Sequence, residues 1–144
     1  MKAIEFPKNR KWFNTAKPLE MSDLQGHIVL LDFWTSCCIN CIHVLPELEF
    51  LENQLKDEPF IIIGVHTPKF AHEQEEEAVL SAIKRYEIKH PVIMDNDYYL
   101  WRRYNIHAWP GFILIDTKGD IIGMASGEGN RDAILKVIET QLLS

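Results

Sequence analysis

Three cysteines, Cys37, Cys38 and Cys41, fall within the run Trp34-Thr35-Ser36-Cys37-Cys38-Ile39-Asn40-Cys41. Cys38 and Cys41 have two residues between them, and on the first turn of a helix such a pair comes close enough to bond. Cys38 would stand at the helix N-terminus, where unpaired backbone N–H groups and the helix dipole favour a thiolate. Cys41, one turn further in, would be shielded and suited to resolving a mixed disulfide. The chemistry implied is thiol–disulfide exchange, in which Cys38 attacks a target disulfide and Cys41 then releases the target. An odd number of clustered cysteines is no disulfide framework, so redox chemistry or metal binding is the expectation. Cys37 reads as a small apolar residue or, more sharply, as an accessory redox thiol.

The metal and haem readings fail on spacing. His43 follows Cys41 by two positions, whereas covalent haem needs the histidine directly after the second cysteine. Zinc wants four ligands, usually from two separated pairs, and His27, His66, His72, His90 and His107 form no second pair. No metal and no other cofactor is expected.

The elements that must position the dithiol follow from the apolar pattern. Ile28 to Trp34 is β-branched and aromatic, apolar on both faces apart from Asp32, and reads as a central buried strand. The next segment is a helix, with Leu45, Leu48, Leu51 and Leu55 at spacings of three, three and four. Phe60 to Val65 is a second buried strand, and Glu73 to Tyr86 an amphipathic helix with Val79, Ile83 and Tyr86 inside. Glu73, Glu75, Glu76 and Glu77 read as its solvated first turn, complementing the dipole.

Pro91 to Met94 is a short strand, and Asp97 opens a short helix to about Tyr104, on which Trp101 packs and Arg102 and Arg103 face water. Phe112 to Ile115 and Asp120 to Met124 flank the turn Asp116-Thr117-Lys118-Gly119, a hairpin signal. A last helix, capped near Asn130, carries Ile134, Val137, Ile138 and Leu142. Strands alternating with helices, then a hairpin and a helix, predict a three-layer α/β/α fold with a mixed central sheet.

The 144 residues are the size of one domain, and the whole chain is read as such: an N-terminal extension, 1–25, and a core, 26–144. Hydrophobic content of 47% and charged content of 25% are ordinary globular values. Fifteen Lys and Arg against 21 Asp and Glu leave a net charge of −6, which gives no support to nucleic acid as a partner. No apolar run approaches the ~18 residues of a membrane span, so no membrane partner is expected. The N-terminus lacks an apolar signal region, and the cytoplasm is the expected compartment.

These residues resemble the thioredoxin superfamily from about Leu30 to Leu143. The resemblance implies a thiol–disulfide oxidoreductase acting on protein thiols and disulfides. It places Asp32 at the family's buried carboxylate, a proton acceptor for Cys41, and a carboxylate on an apolar strand is costly without such a job. It places Pro46 where the first helix kinks, Trp109-Pro110 at the family's cis-proline facing the dithiol, and Gly127 where a small residue leaves the substrate groove open. The extra unit from Glu73 to Met94 resembles the inserted helix and strand of the TlpA-like branch. More closely, Phe33-Trp34-Thr35, the Cys-Cys-Ile-Asn-Cys run and Ser126-Gly127-Glu128-Gly129 resemble thioredoxin-like domains that precede an NHL-repeat propeller. The resemblance implies a propeller domain as partner in a longer parent chain.

Four departures from the pattern bear on substrate choice and redox poise. Cys37 replaces the usual Trp, Ile39-Asn40 the usual Gly-Pro, Trp109 precedes the proline, and Gly111 follows it. Two other functions compete with exchange. One is a thiol peroxidase, since Thr35-Ser36-Cys37-Cys38 has the Thr-x-x-Cys spacing of peroxiredoxins, although Leu31 stands where they carry a proline. The other is a non-catalytic interaction module in an NHL-repeat protein, because a fold does not by itself imply turnover.

Overall fold

The apolar run at 28–34 is buried along its whole length, which is why it shows no alternation. The computed structural model describes residues 1–143; Ser144, the last residue of the expected core, lies outside the described residues. In chain order the elements are β1 (Trp12–Phe13), β2 (Ile28–Trp34), α1 (Ile39–Gln54), β3 (Phe60–His66), α2 (Glu76–Arg85), β4 (Val92–Met94), α3 (Tyr99–Arg103), β5 (Gly111–Ile115), β6 (Ile121–Ser126) and α4 (Arg131–Leu142). Two 3₁₀ turns, Met21–Leu24 and Ala71–Gln74, complete the set.

The sheet runs β1-β4-β3-β2-β5-β6. Strands β2, β3 and β4 are parallel, while β1, β5 and β6 pair antiparallel with their neighbours. This is the mixed sheet of an α/β fold. On one face Val29, Leu31 and Phe33 pack with Phe6, Leu24, Leu100 and Tyr104. On the other, Ile28 and Leu30 pack with Val44, Leu48 and Leu51 of α1 and with Ile134 and Ile138 of α4. Further along that second face, Trp34 meets Cys41 and the α2 residues Val79, Ala82 and Ile83. The strand alternation of β2 therefore sends Asp32 and Trp34 toward α1, on the side of the cysteines.

Three local expectations are corrected. The helix expected from Glu73 starts at Glu76, and Glu73 belongs to the preceding 3₁₀ turn. The short helix expected to open at Asp97 begins at Tyr99, and buried Asp95 accepts from the N–H groups of Leu100 (2.9 Å) and Trp101 (3.1 Å). The segment before Gly26 is more than an extension. It supplies β1, with Trp12 opposite Ile93 and Phe13 opposite Val92, and its first residues bond the β5–β6 hairpin, Ile121 N–H to Met1 O at 2.7 Å. Two-residue strands leave no periodicity in a sequence to read.

Candidate active site

Helix α1 begins where β2 ends, and Cys38 is its N-cap residue. Its Sγ accepts the backbone N–H of Cys41 at 3.2 Å. A sulfur in this position satisfies one of the first-turn amides that have no partner within the helix. Cys41 lies behind it, 4% exposed. Burial pushes the Cys41 thiol well above the ordinary range, and its contact with Cys38 and the nearby Asp32 add to this. All three cysteines are free thiols, with Cys37 exposed and Cys38 half-buried. Pro46 lies inside α1.

The loop that delivers Cys38 is held by a residue that the sequence pattern assigned to solvent. Glu73 is 0% exposed. Its Oε2 accepts from the Thr35 hydroxyl (2.5 Å), the Ser36 hydroxyl (3.1 Å) and the Cys37 N–H (2.7 Å). Its Oε1 accepts from the N–H groups of Lys69 (3.0 Å) and Phe70 (2.8 Å). Burial raises its pKa, but the bonds from Thr35, Phe70, Cys37 and Lys69 outweigh that and bring it from 4.5 down to about 2. The next amide, Ser36 N–H, goes to His66 Nε2 at 3.1 Å. Burial brings the His66 imidazole down to about 4, so it is neutral and free to accept at neutral pH.

The depressed pKa makes Glu73 a stabilising group with a definite pH window. Its contribution is complete above the unfolded value of 4.5 and is lost as pH falls toward about 2. Glu73→Gln is expected to destabilise the protein by about 3 kcal/mol at pH 7, the shift converted at about 1.4 kcal/mol per unit. Urea unfolding at pH 7 and pH 3 checks this: the deficit should shrink in acid, and a pH-independent deficit would mean that packing, not charge, was lost.

Asp32 is 3% exposed, and its Oδ1 has no hydrogen-bond partner among the described residues. Burial raises its pKa from 3.8 to about 7, with His90 acting in the opposite direction. Asp32 stands opposite Gly64 in the β2–β3 register.

The segment before β5 packs against the same cluster as the cysteines. The Trp109–Pro110 peptide bond is cis. Trp109 is half-buried; its indole N–H donates to Thr67 O at 2.9 Å, and its ring lies 4.3 Å from that of Trp101. Trp101 thus supports Trp109 as well as packing against the core. Trp109 and Cys38 pack against the same cluster as Trp34 and Cys41. Gly111 follows the proline because a Cβ there would stand 2.8 Å from Ile106 Cγ2 and 3.0 Å from Ala108 O. Gly127 has φ +78° and donates its N–H to Pro110 O at 2.9 Å, tying the end of β6 to the proline. Asn130 is the N-cap residue of α4, as expected, and its side-chain amide donates back to Ser126 O and Gly127 O rather than capping the helix amides.

On the solvent side, Cys37 Sγ lies 3.3 Å from His72 Nε2, and that imidazole stacks on Phe70 with an interplanar angle of 8°. His43 pairs with Glu128 at 3.3 Å. Among the described residues no group of three or more His, Cys, Asp or Glu is placed to hold a metal ion. Nor is any helix among them long and apolar enough to cross a membrane.

Comparison with known proteins gives this arrangement a context. A family model described as Thioredoxin-like matches residues 26–121. The chain is 47% identical over 138 residues to the Arabidopsis thaliana protein SUPPRESSOR OF QUENCHING 1, chloroplastic, a match spanning 96% of this chain and 13% of that protein. It is 42% identical over 132 residues to Homo sapiens NHL repeat-containing protein 2, spanning 90% of this chain and 18% of that one. The chain therefore covers less than a fifth of either relative. Among solved structures, a thioredoxin-like superfamily protein superposes with a TM-score of 0.91 at 24% identity, covering 99% of this chain and 96% of the other.

Proposed function

This chain belongs to the thioredoxin-like family, and from that premise we propose that it is a thiol–disulfide oxidoreductase working through Cys38 and Cys41. The observation that carries the reading is the dithiol itself: Cys38 caps α1 and accepts the Cys41 N–H at 3.2 Å, with Cys41 buried behind it. In the first step the Cys38 thiolate attacks one sulfur of a protein disulfide, forming a mixed disulfide and releasing the other sulfur as a thiolate. In the second, Cys41 loses its proton to Asp32 and attacks Cys38 Sγ. The Cys38–Cys41 disulfide forms, and the target leaves reduced. The buried Cys41 cannot compete for targets, which gives the two thiols their order.

Trp109, Pro110 and Gly127 form the wall that a target segment meets. Cys37, with His72 beside it, serves as an accessory thiol at the rim. In a reducing compartment such as the cytosol the dithiol is the resting form, and the protein acts as a reductant.

A second reading rests on the comparison: the chain spans 18% of a relative named for its NHL repeats, as a thioredoxin-fold interaction module in a longer protein would. One experiment tests both. The purified protein is titrated in glutathione redox buffers, and the paired thiols are mapped by mass spectrometry. A reversible Cys38–Cys41 disulfide between about −270 and −120 mV supports the oxidoreductase. If that pair never forms, the enzyme reading falls and the module remains. The same map shows whether Cys37 takes up glutathione.

A further inference from the structure

A cavity of about 520 Å³ opens between α1 and the turn after α2. His90 lies at its inner end, 7% exposed, with Glu52 and Glu49 of α1 and Glu87 and Lys89 of the turn around it. Its Nδ1 faces Glu52 Oε2 at 3.8 Å. Its Nε2 points the other way, into the sheet: a Cβ built on Gly64 would stand 3.4 Å from it and 2.9 Å from Trp34 Nε1. Gly64 is the register partner of Asp32. The missing side chain at Gly64 thus lets an imidazole and an indole N–H close in on the backbone beside Asp32, where a Cβ would collide with Trp34 Nε1. Two of the buried polar atoms there, Asp32 Oδ1 and Trp34 Nε1, have no partner among the described residues. Asn14 fixes the segment by donating to Ile88 O (2.8 Å) and His90 O (3.1 Å).

We propose that His90 is a positioning residue for Asp32, and that with Glu52 it forms the route by which the Cys41 proton leaves through the cavity between α1 and the turn after α2. The inference rests on the exchange reading above. When Cys41 attacks Cys38, the S–H bond breaks, its electron pair forms the new S–S bond, and the proton goes to Asp32. That proton passes to His90 Nε2 beside Gly64, while the Nδ1 proton of the same ring passes to Glu52 or to water in the cavity. Asp32 is returned as a carboxylate, and no electron moves beyond the exchange itself. The other charged groups facing the ring, Glu49, Glu87 and Lys89, line the open part of the cavity, and Cys41 faces Asp32 from α1.

The test uses 5,5′-dithiobis(2-nitrobenzoate) in single turnover, with Cys37→Ser in every protein so that the exposed thiol does not report. The first coloured thiolate marks attack by Cys38 and the second marks resolution by Cys41. His90→Ala is expected to slow the second release about tenfold at pH 7 and leave the first within about twofold. The pH midpoint of the second release should also move up, since the ring no longer favours the Asp32 carboxylate. Added imidazole, small enough for the cavity, should restore the second release, and should fail to do so once Asp32→Asn is also present. His90→Gln keeps a polar group of similar reach and cannot relay a proton, so it should behave as His90→Ala does without imidazole. Recovery of the rate by glutamine, or slowing that leaves the pH midpoint fixed and ignores imidazole, overturns the relay and assigns His90 to packing. A parent protein with no Cys41-dependent second release overturns the exchange reading and the relay together. A normal parent with an unaffected His90→Ala overturns the relay alone.

Discussion

Asparagine in place of Asp32 is expected to stabilise the protein by about 4 kcal/mol at pH 8 and by nothing below pH 4. The carboxyl is buried with one oxygen unpartnered, and its pKa stands at about 7 against 3.8 in the unfolded chain. Between those values the folded state holds a proton that the unfolded chain has released, so stability falls as pH rises. Above 7 the full penalty applies, about three pH units at about 1.4 kcal/mol each. Below 3.8 both states are protonated and the variant gains nothing. Urea unfolding of both proteins at pH 3.5, 6 and 8 checks the slope; a gain of equal size at every pH would show that Asp32 is not the group titrating. The same substitution removes the proton acceptor for Cys41, so the variant should be sturdier and slower. A stabilising change that impairs the reaction marks a group kept for chemistry.

Serine at Cys38 and serine at Cys41 should fail in different ways. Cys38→Ser removes the only cysteine that caps the helix, and exchange with protein disulfides should fall on the order of 10³-fold. Cys41→Ser leaves the first attack intact, because the buried thiol takes no part in it. The mixed disulfide with the target should then accumulate to near one equivalent and disappear on adding dithiothreitol. Non-reducing electrophoresis and intact-mass measurement read both outcomes. If Cys38→Ser kept more than a tenth of the parent rate, the assignment of the nucleophile would be wrong, with Cys37 the alternative.

The parts legible in the sequence were those whose cause is local. A seven-residue strand buried on both faces, β2, shows itself by apolar content alone. Two cysteines three positions apart after such a strand point to the dithiol. The Asp116–Gly119 turn is also local: Asp116 Oδ1 accepts from the N–H groups of Lys118 and Asp120, both at 2.9 Å. Glu73 was not legible, because nothing in a run of glutamates distinguishes the one that is buried. Its partners Thr35, Ser36 and Cys37 lie 36 to 38 positions away, and only the folded chain brings them to it. His90 is hidden for the same reason, since its role depends on a side chain that Gly64 lacks. Tertiary satisfaction of polar groups leaves no periodic trace, and periodicity is what a single sequence offers.

The first thirteen residues belong to both ends of the sheet. Met1 and Ala3 are bonded to the β5–β6 hairpin, Phe6 is buried on the face between, and Trp12 and Phe13 close the edge at β4. The segment is a girth strap, fastened at opposite rims and drawn across the barrel of the saddle. Strands that share no direct pairing, β4 and β6, are thereby joined through it, and neither rim can peel without loosening the other. Amide hydrogens at Ala3, Phe13 and Ile121 should accordingly exchange as one cooperative unit. A tag placed at the N-terminus pulls on the far side of the molecule as directly as on the near one.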